Sequence, residues 1–263
     1  MNPMTHEELI AGLKHLHLNA IATQYAELSK IAEKEKRTYE QYLAKLIEVE
    51  LKEKNTQRVN RLLKDAKIPL HKTLESFQFD QRNGITAAQF NRLATGQFVR
   101  QAGNVVFFGS FGVGKTHLAI ALAGKFCEAG LRCYFASTHG LIESLLEAKR
   151  DLTLTTLFKR LDRYDIIVCD ELGYIPHDPA GADLFFQLIS QRAERKSLLI
   201  TTNLTYSEWD KVFINPTTTA AAIDRIIHKC ETFNITGPGW RAQEAKKRLA
   251  SKELTESESD ITQ

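Results

Sequence analysis

The chain has 263 residues, of which 43% are hydrophobic and 25% are charged. This length and composition predict one substantial α/β core with a small additional domain. A formal net charge of +3 does not indicate bulk attraction to nucleic acid. The sequence has no apolar run of membrane-spanning length, no signal-peptide core and no disulfide or zinc spacing among its four cysteines. We therefore expect a reduced, cytoplasmic protein with no membrane partner.

The first part of the chain has the composition of a helical domain. From about Thr5 to Lys67 it is rich in Leu, Ala, Glu and Lys and contains no proline. Thr5 and Glu8 have the spacing of a capping box. Apolar residues then recur at helical spacing, at Leu9, Leu13, Leu16 and Ala20 and again at Tyr39, Leu43, Leu46, Ile47 and Leu51.

Three domain regions follow from this composition. We predict a helical, partner-binding domain over residues 1–68, with a linker at residues 67–71. Strands and helices then alternate over residues 69–250, which predicts a parallel sheet with helices on both faces. Residues 251–263 are polar and net acidic, as in a disordered tail.

A glycine-rich segment of the form Gly-x-x-x-x-Gly-Lys-Thr lies between a short apolar strand and a helix pattern. Glycines let such a loop wrap its N–H groups around phosphates, and the helix directs its positive end at the same anion. Lys115 would reach the β- and γ-phosphates, and the Thr116 hydroxyl would bind Mg²⁺. The residues expected around the phosphates are Gly109, Ser110, Phe111, Gly112, Val113, Gly114, Lys115 and Thr116. The flanking strand and helix favour a nucleoside triphosphate site over a chance glycine turn.

A second apolar run, residues 164–169, ends in Asp170 and Glu171. This pattern is typical of a buried parallel strand whose carboxyl end faces a ligand. Asp170 would hold Mg²⁺ through water, and Glu171 would polarise the attacking water. Alternatively, the acidic pair caps a helix that begins near Pro179. With the glycine loop present, we favour hydrolysis.

A third strand, residues 197–203, ends in polar residues. Asn203 could orient the attacking water or contact the γ-phosphate. An asparagine at the end of a strand is also a common turn residue, and spacing alone favours that alternative.

These three segments resemble the nucleotide site of the AAA+ ATPases, with Asn203 in the position of sensor 1. More narrowly, residues 72–79, 115–122, 170–174 and 224–228 resemble the IstB-like transposition helper ATPases, which are related to the DnaC-like helicase loaders. The resemblance extends from about Leu9 to about Arg248. It implies an AAA+ P-loop fold, ATP as the nucleotide, and self-oligomers with ATP sites at subunit interfaces.

The resemblance also implies two roles for arginines. Arg225 lies where such proteins carry the arginine that reaches the γ-phosphate of a neighbouring subunit, and Arg241 lies near a sensor-2 arginine. Without the resemblance, Arg225 would be interpreted as a surface arginine paired with a carboxylate. Ser110 replaces the proline that is commoner in the family; phosphate contact uses backbone N–H groups, so we expect little loss.

Basic residues cluster in two helical stretches, one with Arg58, Arg61 and Lys64 and the other with Lys149, Arg150, Lys159, Arg160 and Arg163. Such clusters are usually solvated helix faces. Resemblance to helper ATPases that act on DNA favours contact with DNA phosphates instead. Aromatic residues are sparse nearby, which favours duplex over single strands.

We therefore expect an Mg²⁺-dependent ATPase that oligomerises on duplex DNA and regulates the transposase of the same element. Two alternatives remain. One is a replicative helicase loader acting on single-stranded DNA. The other is a nucleotide-gated scaffold that hardly hydrolyses ATP, and the acidic pair at Asp170 and Glu171 disfavours it.

Overall fold

The computed structural model describes residues 4–69, 84–174 and 178–237 of the chain. Its helices are α1 His6–His15, α2 Asn19–Lys34, α3 Tyr39–Asp65, α4 Ala87–Ala94, α5 Gln97–Arg100, α6 Lys115–Glu128, α7 Thr138–Arg150, α8 Leu154–Leu161, α9 Pro179–Arg192, α10 Asp210–Phe213 and α11 Pro216–Ile227. Its strands are β1 Asn104–Phe108, β2 Cys133–Ser137, β3 Ile166–Leu172, β4 Ser197–Thr202 and β5 Cys230–Asn234. The chain divides into two compact units, Met1–Arg61 and Leu62–Gln263, and the division falls within α3.

The first unit is helical, as the composition predicts. The capping box at Thr5 and Glu8 is confirmed and starts α1. Helix α2 begins without a side-chain cap from its own segment. Instead, the buried Glu50 of α3 accepts hydrogen bonds from the N–H groups of Ala20 and Ile21, at 2.9 and 3.1 Å. A carboxylate at this position stabilises the helix start, since it satisfies two free donors next to the positive end of the dipole.

The apolar residues of this unit are less buried than their spacing predicts. Helix α1 has no buried residue, and Leu16 lies after its last turn with 65% of its surface exposed. On α3, Leu46 is buried, whereas Tyr39, Leu43, Ile47 and Leu51 are exposed. Because one helix face directs only some of these positions inward, the regular spacing alone overstates the core.

The second unit is a five-stranded parallel sheet in the order β2-β3-β4-β1-β5. Alternate residues of each strand enter opposite cores, so Val105 and Phe107 pack on one face of β1 and Val106 on the other. Both faces carry helices, and the predicted parallel α/β architecture is confirmed. Because β4 lies between β1 and β3, the ends of these three strands meet at one carboxyl edge of the sheet.

The predicted linker packs onto this sheet as far as it is described. Ala66 and Ile68 are buried in the same core as β1, and the carbonyl of Ala66 accepts a hydrogen bond of 2.9 Å from Phe135 N–H. Within the predicted linker, Ile68 is therefore a core residue, whereas Lys67 is exposed. His71, the motif at residues 72–79 and the tail at 251–263 lie outside the described residues.

Helices α1–α11 include none that is both apolar and long enough to span a bilayer.

Candidate nucleotide site

Three strand ends define the site. Phe108, the last residue of β1, pairs with Thr202 of β4, and Leu172, the last residue of β3, pairs with the same Thr202. The glycine loop, the acidic pair and Asn203 therefore lie side by side at the carboxyl edge of the sheet. The sequence predicted each of these segments separately, and the strand order brings them together.

The loop between β1 and α6 depends on glycine at three positions. Gly109, Gly112 and Gly114 have φ angles of 149°, 78° and 103°, which side-chain-bearing residues rarely adopt. A Cβ at Gly109 would lie 2.1 Å from the carbonyl oxygen of Ile235. The N-cap of helix α6 is Gly114, so no side chain caps the start of this helix. A loop of this shape, with an uncapped helix start, is suited to bind an anion such as phosphate through backbone N–H groups.

Lys115 is the first residue of α6 and folds over this loop. Its Nζ donates to the carbonyl oxygens of Gly109 and Ser110, at 2.7 and 2.8 Å. Partial burial lowers the pKa of Lys115, while the charges of Asp170 and Glu171 act in the opposite direction. The ammonium group thus lies beside the backbone that would surround the phosphates.

Thr116 and Asp170 form an oxygen pair of the kind that Mg²⁺ prefers. Thr116 Oγ1 donates to Asp170 Oδ1 at 3.0 Å, and Asp170 is buried. No group of three His, Cys, Asp or Glu side chains able to hold a metal occurs in residues 4–69, 84–174 or 178–237. A hydroxyl and one carboxylate fit a magnesium ion that takes its remaining ligands from water and substrate phosphates.

Glu171 projects from a bulge in β3. Residues 169 and 172 pair with residues 200 and 202 of β4, so β3 carries one extra residue there. Glu171 takes a left-handed φ of 61°, and its side chain is exposed next to the buried Asp170. Helix α9 is capped by Asp178, whose carboxylate accepts from Gly181 N–H at 2.6 Å. The alternative interpretation of Glu171 as a helix cap is therefore wrong.

Asn203 follows the last residue of β4 and is half-buried. The turn around it is closed by Thr202, whose Oγ1 accepts from Leu204 N–H at 3.0 Å and donates to the Leu172 carbonyl at 2.9 Å. Because a neighbouring hydroxyl closes the turn, the Asn203 amide is not needed for that purpose. This arrangement favours the ligand-facing interpretation of Asn203.

Arg225 lies at the opposite edge of the sheet from the glycine loop. It is in the last turn of α11, and the next residue, Ile226, accepts a 2.9 Å hydrogen bond through its carbonyl from Asn104 Nδ2 at the start of β1. Its guanidinium donates to the Ala221 carbonyl at 2.9 Å and lies 5.2 Å from the centre of the Phe186 ring. Within the described part of the chain, no carboxylate pairs with it. The alternative of a carboxylate-paired surface arginine is thus not observed there.

The basic residues predicted to contact DNA are all exposed. Arg58, Arg61 and Lys64 are in α3, Lys149 and Arg150 end α7, and Lys159 and Arg160 end α8. Arg241 lies outside the described residues.

Two threonines that the sequence analysis did not single out contact Asp170. Thr138 Oγ1 donates to the Asp170 carbonyl at 2.9 Å, and Thr201 Oγ1 donates to the Asp170 carboxylate. Both are fully buried. For Thr201, the available signal was the pair of hydroxyls, Thr201 and Thr202, directly after the apolar residues of β4.

Comparison with known proteins agrees with this geometry. A family model described as IstB-like ATP binding protein matches residues 11–248. An insertion sequence ATP-binding protein of Sinorhizobium fredii is 36% identical over 250 residues, which are 94% of this chain and 84% of that protein. Another, from Pseudomonas aeruginosa, is 33% identical over 240 residues, 91% of each chain. The crystal structure of the DnaC helicase loader matches 64% of this chain and 98% of that chain, with a TM-score of 0.52 and 24% identity. The likeness confirms the predicted AAA+ fold, and the chain belongs to the family of IstB-like ATP-binding proteins.

Proposed function

We propose that this chain is an ATPase that oligomerises on duplex DNA and regulates a transposase. One observation carries the catalytic part of the proposal. The glycine loop with Lys115, the Thr116–Asp170 oxygen pair and the exposed Glu171 converge at one edge of the sheet.

The first group of residues would bind and orient the triphosphate. Loop N–H groups from Gly109 to Thr116 would surround the phosphates, and Lys115 would exchange its two carbonyl contacts for phosphate oxygens. Thr116 and Asp170 would hold Mg²⁺, which when bound neutralises charge on the β- and γ-phosphates. Because these groups are fixed on β1, α6 and β3, little reorganisation is needed at the chemical step.

Glu171 would act on the water. Its carboxylate is exposed at the ligand-facing edge, whereas Asp170, one residue earlier, points into the buried oxygen pair. This separation gives the two carboxylates different tasks, with Asp170 at the metal and Glu171 as the general base. Asn203, level with both at the end of β4, would orient the same water or the γ-phosphate.

Arg225 would complete the site of a neighbouring subunit. In its own subunit it lies at the amino edge of the sheet, and the glycine loop lies at the carboxyl edge. Both cannot serve one bound nucleotide, so the arginine reaches a triphosphate only if another copy presents one. A head-to-tail assembly satisfies this requirement.

The biological setting follows from the family. The curated relatives are named as insertion sequence ATP-binding proteins. A transposase from the same element is the partner that this setting suggests, and the helical first unit is the proposed contact. Exposed basic residues of α3, α7 and α8 would bind DNA phosphates with little sequence preference.

The proposal is tested by measuring DNA binding and ATP hydrolysis with duplex and single-stranded DNA of the same length. Wild-type protein is titrated with duplex and single strands of equal length, with ATP or ADP, while phosphate release and assembly are followed. We expect ATP to favour assembly and tight binding to duplex. Preference for single strands would support the helicase-loader alternative, for which the fold likeness to DnaC is the specific observation. Nucleotide-dependent binding without phosphate release would instead support the scaffold alternative.

A further inference from the structure

Thr201 is the β4 residue opposite the bulge in β3. Cys169 pairs with Ile200 and Leu172 pairs with Thr202, so Asp170 and Glu171 together lie opposite Thr201. Thr201 is completely buried between β1 and β3. One β4 side chain is thus adjacent to both carboxylate-bearing residues of the proposed site.

The Thr201 hydroxyl contacts both of them at once. A threonine hydroxyl has one proton to donate and two lone pairs with which to accept. Thr201 Oγ1 donates its proton to Asp170 Oδ1 and accepts the N–H of Glu171 at 2.9 Å. The donor role fixes a carboxylate oxygen, and the acceptor role fixes a backbone position.

The bulge explains why a side chain is needed there. Regular pairing in a parallel sheet gives each N–H a carbonyl of the next strand, and the extra residue removes Glu171 from that pattern. Its left-handed φ of 61° is a conformation that the surrounding structure must hold in place. The hydroxyl of Thr201 supplies the missing acceptor, and this contact keeps the Glu171 side chain directed out of the sheet.

The same hydroxyl supports the oxygen pair. Asp170 Oδ1 accepts from Thr116 as well as from Thr201. Thr116 is at the start of α6 and is the proposed metal ligand, whereas Thr201 is inside the sheet and cannot reach the ligand itself. Thr201 therefore holds Asp170 from inside the sheet, independently of the hydroxyl whose lone pair would bind the metal.

We propose that Thr201 is a positioning residue, which through one hydroxyl orients Asp170 toward Mg²⁺ and Glu171 toward the attacking water. The proposal rests on the proposed ATPase function. The role of Thr201 goes beyond that function, because it couples the metal site to the general base. Both depend on the same atom, Thr201 Oγ1.

Two comparisons isolate that atom in the full-length protein: valine with the wild-type threonine, and serine with alanine. Thr201→Val replaces the hydroxyl with a methyl group of similar size. Thr201→Ser and Thr201→Ala both lack the threonine methyl and differ from each other only in the hydroxyl. If Thr201→Val does not fold, the comparison of serine with alanine still measures the hydroxyl. Thr219→Val is the control, since Thr219 is also buried and its Oγ1 donates at 2.9 Å to the carbonyl of Asn215, the N-cap of its own helix.

Two measurements are made on each folded variant. The first is the affinity for ATP without divalent ions and over a Mg²⁺ series, which needs no turnover. The second is kcat and KM for phosphate release. We expect loss of the hydroxyl to raise the half-saturating Mg²⁺ concentration and to lower kcat, each by about 10- to 100-fold. Affinity without Mg²⁺ should stay within about twofold, because the glycine loop is untouched. Thr201→Ser and Thr219→Val should resemble wild type.

A merely structural role predicts a different pattern. Thr201→Val and Thr201→Ala would then lower the melting temperature while the Mg²⁺ midpoint and kcat stayed at wild-type values, and the proposal would be overturned. A serine variant that resembled alanine in both measurements would overturn it as well. If the wild type bound Mg²⁺-ATP without hydrolysing it, the proposed ATPase function would fail separately, and the Mg²⁺ midpoint would still test Thr201 as the support of Asp170.

Discussion

Glu171 shows how one residue can be placed against its own backbone preference. Glutamate seldom has a positive φ, and a side chain held there costs about 1 kcal/mol or more. The register of β3 against β4 imposes this conformation, and Thr201 receives the displaced N–H. Two adjacent carboxylates thereby receive different surroundings, one buried against hydroxyls and one exposed at the ligand-facing edge.

At Glu171, the expected effect of Glu171→Gln is loss of turnover with nucleotide binding retained. The amide cannot accept a proton from water, whereas Asp170 and Thr116 are unchanged. We expect kcat to fall by about a hundredfold to ten-thousandfold and ATP affinity to stay near wild type. Glu194→Gln is a matched control, because Glu194 is also exposed with φ of 59° and lies before the amino end of β4. Equal turnover in both variants would show that Glu171 is not the general base.

At Lys115, we expect Lys115→Ala to keep the fold and lose nucleotide affinity. The lysine is the cation of the loop, and its present partners are two carbonyl oxygens that water can solvate in its absence. Charge-assisted contacts to phosphate are worth enough that ATP affinity should fall about 10- to 100-fold, measured by calorimetry. Lys125→Ala, at the other end of α6, is the control. Normal ATP binding by Lys115→Ala would contradict the phosphate-loop assignment.

At the scale of elements, α2 depends on a carboxylate from another helix. Glu50 satisfies the first N–H groups of α2, since Leu18 at its N-cap has no side chain that can do so. We expect Glu50→Ala to destabilise the first unit by about 1–3 kcal/mol, because two buried donors lose their acceptor. Hydrogen exchange at Ala20 and Ile21 would report this loss directly. Glu53→Ala, on the exposed side of α3, should leave their exchange unchanged.

The sequence predicted those elements whose pattern is local. β1, β3 and β4 each contain a continuous apolar run, and α9 begins at the expected Pro179. β2 and β5 were not predicted. They are the two edge strands of the sheet, and Phe233 is the one buried residue of β5. The bulge at Glu171 could not be predicted either, since it depends on the length of β3 relative to β4. Thr201 was missed for the same reason.

At the scale of the whole molecule, the placement of Arg225 predicts complementation between two inactive variants. Arg225→Ala retains Glu171, and Glu171→Gln retains Arg225. In a 1:1 mixture of freely exchanging subunits, about a quarter of interfaces combine a wild-type Glu171 with a wild-type Arg225 from the neighbour. Phosphate release should therefore recover to roughly that fraction of wild type. A mixture no more active than its parts would show that Arg225 does not act across an interface.

The basic surface gives a separate prediction for DNA. Combined Arg58→Ala and Arg61→Ala changes should weaken duplex binding for every sequence and leave ATP affinity intact. The slope of log affinity against log salt should become shallower by roughly 0.9 for each phosphate contact removed. Lys45→Ala is the control, because Lys45 is a lysine of the same helix outside the basic cluster, where it pairs with Glu48 at 2.9 Å. An unchanged salt slope in the double variant would place the DNA contacts elsewhere.

Arg225 and the glycine loop lie at opposite edges of one sheet, and this has a consequence for the ends of an assembly. In an open filament, one terminal subunit has a nucleotide site that no neighbouring Arg225 reaches. In a closed ring, every site receives an Arg225 from a neighbour. The terminal subunit of a filament would then keep its ATP longest. Turnover per subunit would rise as filaments lengthen, and a filament that exposed a new end, by breakage or by contact with a partner, would create a slow site at that point. The position of a single arginine would thus let the assembly distinguish its ends from its interior.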